Sequence, residues 1–150
     1  MRSLLLAAVL LAGCADPSPS PSASAHADHD PQLDRVKAAL TAAFGMTFEP
    51  AGPHHEIGRA PDGIELDLVG VPVEEIVLSV PGIEPELGIT YLPHLRDLLP
   101  GPGPVWEWIE GGFTCRRLEA ACEPMISRGN LTARFTEGDP SYLVLVVARR

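Results

Sequence analysis

The chain has 150 residues, of which 20 are acidic and 11 are lysine or arginine, giving a formal net charge of −9. This acidic balance argues against binding of nucleic acid, or of an anionic lipid surface, through bulk charge. The length suits one modest domain with a flanking segment, and the hydrophobic fraction of 45% suits a folded protein.

The N-terminus has the pattern of a secretory signal. Arg2 precedes an apolar run over residues 4–11, and the small residues Ala12 and Gly13 lead directly to Cys14. A charged start, a short apolar stretch and small residues before a cleavage site are typical of a signal peptide. The run is too short for a membrane-spanning helix, which needs about 20 apolar residues.

The sequence Leu-Ala-Gly-Cys at residues 11–14 resembles a bacterial lipobox. The resemblance implies that residues 1–13 are removed and that Cys14 carries a diacylglyceryl thioether, usually with an N-acyl group such as palmitate. More than one acyl chain gives stable anchoring. We therefore expect a lipoprotein held in the lipid bilayer by Cys14, on the extracytoplasmic face of the cell membrane. The envelope layer, inner or outer, stays open. Cleavage without lipidation is the alternative, and it would leave Cys14 unexplained.

Residues 14–30 are predicted to form a disordered tether. They contain alternating proline and serine over residues 17–21 and no large apolar side chain. Such a segment cannot bury enough surface to offset the entropy lost on ordering. The folded domain is expected to occupy residues 31–150.

The clearest helix begins this domain. Asp30 is a good N-cap residue, Pro31 suits the first helical position, and Gly45 is a natural stop. Apolar residues between them recur at helical spacing, namely Leu33, Val36, Leu40, Ala43 and Phe44. This helix is expected to pack one face on a sheet.

Three predicted strands follow, at residues 54–59, 64–68 and 76–80. The second and third alternate apolar and polar side chains, and a turn at residues 60–63 separates the first two. Short connections favour antiparallel pairing, because a parallel crossover needs a dozen or more residues.

The second half of the chain gives mixed signals. Residues 91–99 suit a short helix, and residues 105–110 could be helix or strand before Gly111 and Gly112 break the element. Residues 131–135 alternate as a strand, and a turn is expected at residues 138–140. Residues 142–147 are apolar on both faces and predict a central strand with structure on each side. The predicted fold class is α+β: the N-terminal helix on an antiparallel sheet of about four or five strands, with short helices in the middle.

Cys115 and Cys122 are the only thiols left once Cys14 is lipidated. An even pair outside the cytoplasm favours a disulfide, and two buried or free thiols are the alternative. In a straight helix a seven-residue step rises about 10.5 Å, beyond the reach of a disulfide, so a bridge would require a bend or loop.

Histidine and carboxylate side chains suggest a metal as one alternative function. His26 and His29 lie at the end of the predicted tether, and His54 and His55 precede a glutamate. Imidazole and carboxylate suit zinc or copper, but a structural site needs a fixed set of usually four ligands. The first group lies in a flexible segment and the second has no clear partner, so solvated polar residues are the simpler explanation of both. No phosphate-binding or dinucleotide-binding glycine pattern occurs, so no cofactor is expected.

Two further hypotheses concern the helical region. Trp106 follows a Pro-Gly loop, where binding residues are often displayed, and could contact a partner, with Trp108 in the core. A small hydrolase could use His94 and Asp97, which would share a helix face, but no nucleophile motif supports it. The leading interpretation is a tethered, non-enzymatic binding or accessory module whose partner is an envelope protein or a small ligand.

Overall fold

The computed structural model describes residues 29–117, 122–137 and 141–150. In these residues three helices and seven antiparallel strands form an α+β fold. The elements follow in the order α1 (Pro31–Phe44), β1 (Thr47–Gly52), β2 (His55–Arg59), β3 (Glu65–Val69), β4 (Glu75–Pro81), α2 (Leu87–Leu98), α3 (Gly103–Arg117), β5 (Met125–Arg128), β6 (Leu131–Glu137) and β7 (Tyr142–Arg149).

The helix α1 begins and ends where its capping residues predict. The side chain of Asp30 accepts a hydrogen bond from the backbone N–H of Gln32 at 2.9 Å. Pro31 is the first helical residue, and Gly45 ends the helix in the left-handed conformation with φ 66°. Leu33, Val36 and Leu40 are buried and Phe44 is partly buried, which confirms these members of the predicted apolar face, whereas Ala43 is exposed.

The sheet has the strand order β1-β2-β3-β4-β7-β6-β5, with every neighbouring pair antiparallel. The antiparallel class is confirmed, but the expected four or five strands are too few. The missed strands are the two edges, β1 and β5. β1 contains Pro50 and is exposed along most of its length, and β5 is only 4 residues long. Neither carries the apolar alternation on which the sequence-based assignment depended.

The hydrophobic core lies between the helices and one face of the sheet. In β4, Ile76, Leu78 and Val80 are buried, whereas the alternate side chains Val77 and Ser79 are half-buried on the opposite face. The other inner strands alternate in the same way because successive side chains in a strand point to opposite faces. The helices cover the face that carries the buried set.

The expectation that Gly111 and Gly112 end the element at residues 105–110 is wrong. Helix α3 runs through both glycines to Arg117. A Cβ atom on Gly112 would lie 2.2 Å from the ring of Phe135 on β6, so this position lets the helix backbone approach the sheet closely. The predicted helix near residues 91–99 is α2, which begins earlier, at Leu87.

A disulfide joins Cys115, in the last turns of α3, to Cys122. Their Cα atoms are 6.1 Å apart. A straight helix would separate them by about 10.5 Å, so Cys122 cannot lie on a continuation of α3. The two cysteines are therefore closer than a straight helix would place them, and the expected disulfide is present.

Strand β7 lies between β4 and β6, away from both edges, as predicted. The expectation that it is covered on each side is wrong for the part of the chain that the structure describes, because all three helices pack on one face. The predicted signal peptide, Cys14, His26 and the turn at residues 138–140 lie outside the described residues, as does nearly all of the predicted tether. Among the helices described, none is long and apolar enough to span a bilayer.

Candidate binding surface on the open face of the sheet

The sheet face opposite the helices, called the open face here, has an apolar centre. Val77 on β4 is the cross-strand partner of Val146 on β7, and Val144 lies two residues before Val146 in β7, opposite Ser79. The three valines are only half-buried, since no helix among the described residues covers this face. Partly exposed apolar side chains grouped in this way make the face a candidate interaction site.

Opposite charges flank this apolar centre. The cross-strand partner of Val77 on β3 is Asp67, and the partner of Val146 on β6 is Arg134. Beyond the charges, the same line continues to Ile57 on β2 and to Met125 on β5, which is 54% exposed. We call this line the central row; its order across the sheet is Ile57, Asp67, Val77, Val146, Arg134 and Met125.

Asp67 is held in place by a histidine from the neighbouring strand. The Nε2 atom of His55 lies 2.8 Å from Oδ1 of Asp67, and both side chains are partly buried. His55 therefore orients a carboxylate of the open face. The adjacent His54 is exposed in the connection between β1 and β2, where it adopts φ 54°.

A groove of about 470 Å³ lies at one end of the open face. Arg59 stands at its rim and bridges two carboxylates, with Nη1 3.1 Å from Glu49 and Nε 2.9 Å from Glu65. The volume falls within the range of small-ligand sites. We call it the Arg59 groove; its lining is Arg59, Ala60, Gly63, Ile64, Glu65, Ser79, Tyr142 and Val144.

A buried tyrosine supports the turn that forms one wall of this groove. The hydroxyl of Tyr91 donates to Oδ2 of Asp62 at 2.9 Å, while Oδ1 of Asp62 accepts from the backbone of Ile64 at 3.1 Å. Burial, the hydrogen bond to Asp62 and the negative charge of that carboxylate together raise the pKa of Tyr91 above its ordinary range. Tyr91 therefore stays protonated and ties α2 to the turn.

Among the described residues, the histidines proposed as metal ligands do not come together. His29 pairs with Asp34 at 3.1 Å on α1, and His55 pairs with Asp67 in the sheet. In the described ranges, no group of three or more histidine, cysteine, aspartate and glutamate side chains is placed to hold a metal ion. The geometry of the described residues therefore supplies no metal centre on which to build a function.

Trp106 is buried, with 1% of its surface exposed, so the expectation that it contacts a partner is wrong. Because α3 is continuous, Trp106 shares a face with the buried residues Ile109 and Phe113, at helical spacing. Trp108 is the less buried of the two tryptophans, and its ring lies 5.5 Å from that of Phe135. Trp106 is therefore the core tryptophan, and Trp108 packs at the edge of the core.

The pair proposed for a hydrolase lies on α2, on the opposite side of the sheet from the open face. The ring of His94 packs edge-on against Phe44 at 5.8 Å. The backbone carbonyl of Asp97 accepts a hydrogen bond from the side chain of Gln32. These contacts join α2 to α1 and give both residues a role in helix packing.

Comparisons with known proteins assign no function to the open face. No protein-family model, curated protein sequence or solved structure matches the chain. Sequence reasoning did not single out Asp67, Val77 or Arg134. The alternation of the strands carried the signal, since it divides each strand into a covered and an open set.

Proposed function

We propose that the protein is a lipid-anchored, extracytoplasmic binding module that holds a partner protein on the open face and catalyses no reaction. The observation that carries the proposal is the half-buried apolar centre formed by Val77, Val144 and Val146, which the described residues leave uncovered. A sheet normally buries its apolar surface against another layer. A partner that supplies this layer would remove the three valines from water.

The partner is a protein because the surface is broad. The four central strands β3, β4, β7 and β6 are 5 to 8 residues long and the sheet has seven strands. At about 3.3 Å per residue and 4.8 Å between strands, the open face covers roughly 600 Å². This is close to the roughly 800 Å² that each partner buries in a standard protein interface. The Arg59 groove is one depression within it.

The anchor follows from the lipobox resemblance at residues 11–14. The disulfide between Cys115 and Cys122 supports an extracytoplasmic location, because disulfides persist in oxidising compartments. The described fold begins beside the turn between β3 and β4, where His29, Asp30 and Pro31 line one depression together with Val71 and Pro72. A tether from Cys14 would therefore join the domain at that end of the sheet.

The anchor is tested by feeding cells an alkyne-bearing palmitate and measuring its incorporation into the protein. The wild-type chain should be labelled and Cys14→Ser should not. Cys122→Ser is the matched control, because it removes a different cysteine and should keep the label. An unlabelled wild-type protein, or a labelled Cys14→Ser variant, would refute the anchor.

The binding surface is tested by placing a photo-reactive phenylalanine analogue at Val144 in the anchored protein. The control position is Glu107, which is exposed on α3 on the helical side of the sheet. Irradiation of intact cells should give a discrete protein adduct from position 144 and none from position 107. Equal yields at the two positions, or no adduct at position 144, would overturn the assignment of the open face.

A further inference from the structure

We infer that the partner on the open face is a second copy of this chain, bound face to face about a two-fold axis parallel to the strands. The inference rests on the proposed function, since it names the occupant of the same surface. The axis would pass between β4 and β7, the strands that carry the apolar centre. Two sheets packed in this way form a sandwich about 10 Å apart with nearly aligned strands.

The central row is complementary to its own reversed copy. Rotation about this axis exchanges the two halves of the row, so Val77 of one copy lies over Val146 of the partner subunit. Asp67 then lies over Arg134 of the partner subunit, and the outer Ile57 lies over Met125 of the partner subunit. Each of these six residues therefore meets a residue of matching chemistry, whereas Glu49, which extends the line onto the edge strand β1, lies beyond the partner's last strand and has no counterpart. By symmetry the interface contains two Asp67–Arg134 pairs.

The perpendicular alternative lacks this match. A two-fold axis lying in the interface but across the strands would place Asp67 over Asp67 and Arg134 over Arg134. Like charges facing each other in an interface are costly and disfavour the arrangement. The charge pattern of the central row thus selects one orientation of the second copy.

The position at which the predicted tether joins the domain is compatible with the same orientation. The described chain begins beside the turn between β3 and β4, at one end of the strands. An axis parallel to the strands leaves this end of both copies pointing in the same direction, so both Cys14 anchors could enter one bilayer. The perpendicular axis would direct the two ends oppositely. The Arg59 grooves lie at the other end of the strands, away from the membrane.

The size of the surface is sufficient for a dimer. Two faces of roughly 600 Å² bury about 1,200 Å² in total, at the lower edge of specific, stable interfaces. The apolar centre with a charged periphery also follows the usual division of an interface into core and rim. The expected dimer is therefore reversible.

The test exchanges the two charges of the central row. Asp67→Arg gives a chain with arginine at both positions, and Arg134→Asp gives a chain with aspartate at both. Each variant alone should be monomeric, with its dimer dissociation constant raised at least about tenfold, because both pairs become repulsive. Mixed together, the two variants should form a heterodimer, since each pair is again arginine over aspartate. The double variant should also dimerise.

The measurement is sedimentation equilibrium on the full chain carrying Cys14→Ser, which removes the lipid. Glu107→Arg, on the helical side, is the control with the same charge change as Asp67→Arg and should leave dimerisation unchanged. A folding defect, such as one caused by loss of the His55 contact, cannot produce a complementary heterodimer. The mixing experiment therefore separates the interface from stability.

Several outcomes would overturn the inference. The inference fails if the chain carrying only Cys14→Ser is monomeric at its highest soluble concentration. It also fails if the two charge variants form no heterodimer when mixed. A cross-linked adduct at position 144 that contains a different protein would also refute the dimer while leaving the binding function standing. The absence of any adduct at that position would instead refute the binding function.

Discussion

The two adjacent glycines in α3 provide a matched test of how the helices pack on the sheet. A Cβ atom added to Gly112 would lie 2.2 Å from Cε2 and 2.9 Å from Cζ of Phe135. The same atom added to Gly111 meets nothing within 4 Å. The substitutions Gly111→Ala and Gly112→Ala are identical in chemistry and helix propensity, so they differ only in these contacts.

The expected free energies have opposite signs. Alanine in place of glycine inside a helix gains about 0.5–1 kcal/mol, because glycine loses more backbone entropy on folding. This gain should appear in full for Gly111→Ala. At Gly112 the ring of Phe135 must move by more than 1 Å to reach ordinary contact, and such overpacking costs about 1–3 kcal/mol. Gly112→Ala should therefore lower the free energy of unfolding by up to about 2.5 kcal/mol, which places it about 1–3 kcal/mol below Gly111→Ala.

Urea unfolding of the full chain carrying Cys14→Ser, followed by circular dichroism, measures both free energies. Equal denaturant slopes for the two variants would show that the comparison concerns stability alone. If Gly112→Ala proved as stable as Gly111→Ala, the close approach of α3 to β6 would be wrong. Ring-current shifts of the Phe135 protons provide a second readout, because the ring must move only in Gly112→Ala.

Two further predictions concern buried aromatic residues. Because the pKa of Tyr91 is raised on folding, its contribution to stability is intact below about pH 10 and is lost as the pH rises further, when only the unfolded chain ionises. Above about pH 10, Tyr91→Phe should make the fall in the free energy of unfolding shallower by up to about 1.4 kcal/mol per pH unit. If urea unfolding at several pH values shows the same fall for both proteins, the assignment is contradicted. Trp106→Ala should lower the free energy of unfolding by about 3–5 kcal/mol in the same assay, because Trp106 is buried. Trp108→Ala should lower it clearly less, because Trp108 is only partly buried. Equal losses would refute this placement of the two tryptophans.

Local signals predicted the parts of the fold that depend on local chemistry. The ends of α1 follow from Asp30 and Gly45, whose capping roles depend on a few neighbouring residues. The strands β3 and β4 follow from the alternation of apolar and polar side chains, which arises whenever one face of a strand is covered. The edge strands and the length of α3 depend on contacts between distant residues, such as Gly112 with Phe135. No pattern within a short window encodes such a contact.

The candidate surface could not be predicted from the sequence, because it too depends on contacts between distant residues. Pairing of Asp67, Val77, Val146 and Arg134 across four strands depends on strand order, and β7 joins β4 only after two helices and two other strands. The registers of β3, β4, β7 and β6 must all be known before the central row can be recognised. The individual residues are unremarkable in sequence, and their complementarity exists only across the assembled sheet.

The strongest argument for a partner comes from β7, which was expected to be covered on both faces. Its apolar residues on both faces predicted cover on each side, yet the described helices cover only the face of Leu143, Leu145 and Val147. Val144 and Val146 on the other face are costly to leave in water, at about 25 cal/mol per Å² of apolar surface. In the proposed dimer the partner's sheet provides the missing layer. The strand then has the two-sided cover that its sequence predicts, supplied half by its own helices and half by a second copy of the chain.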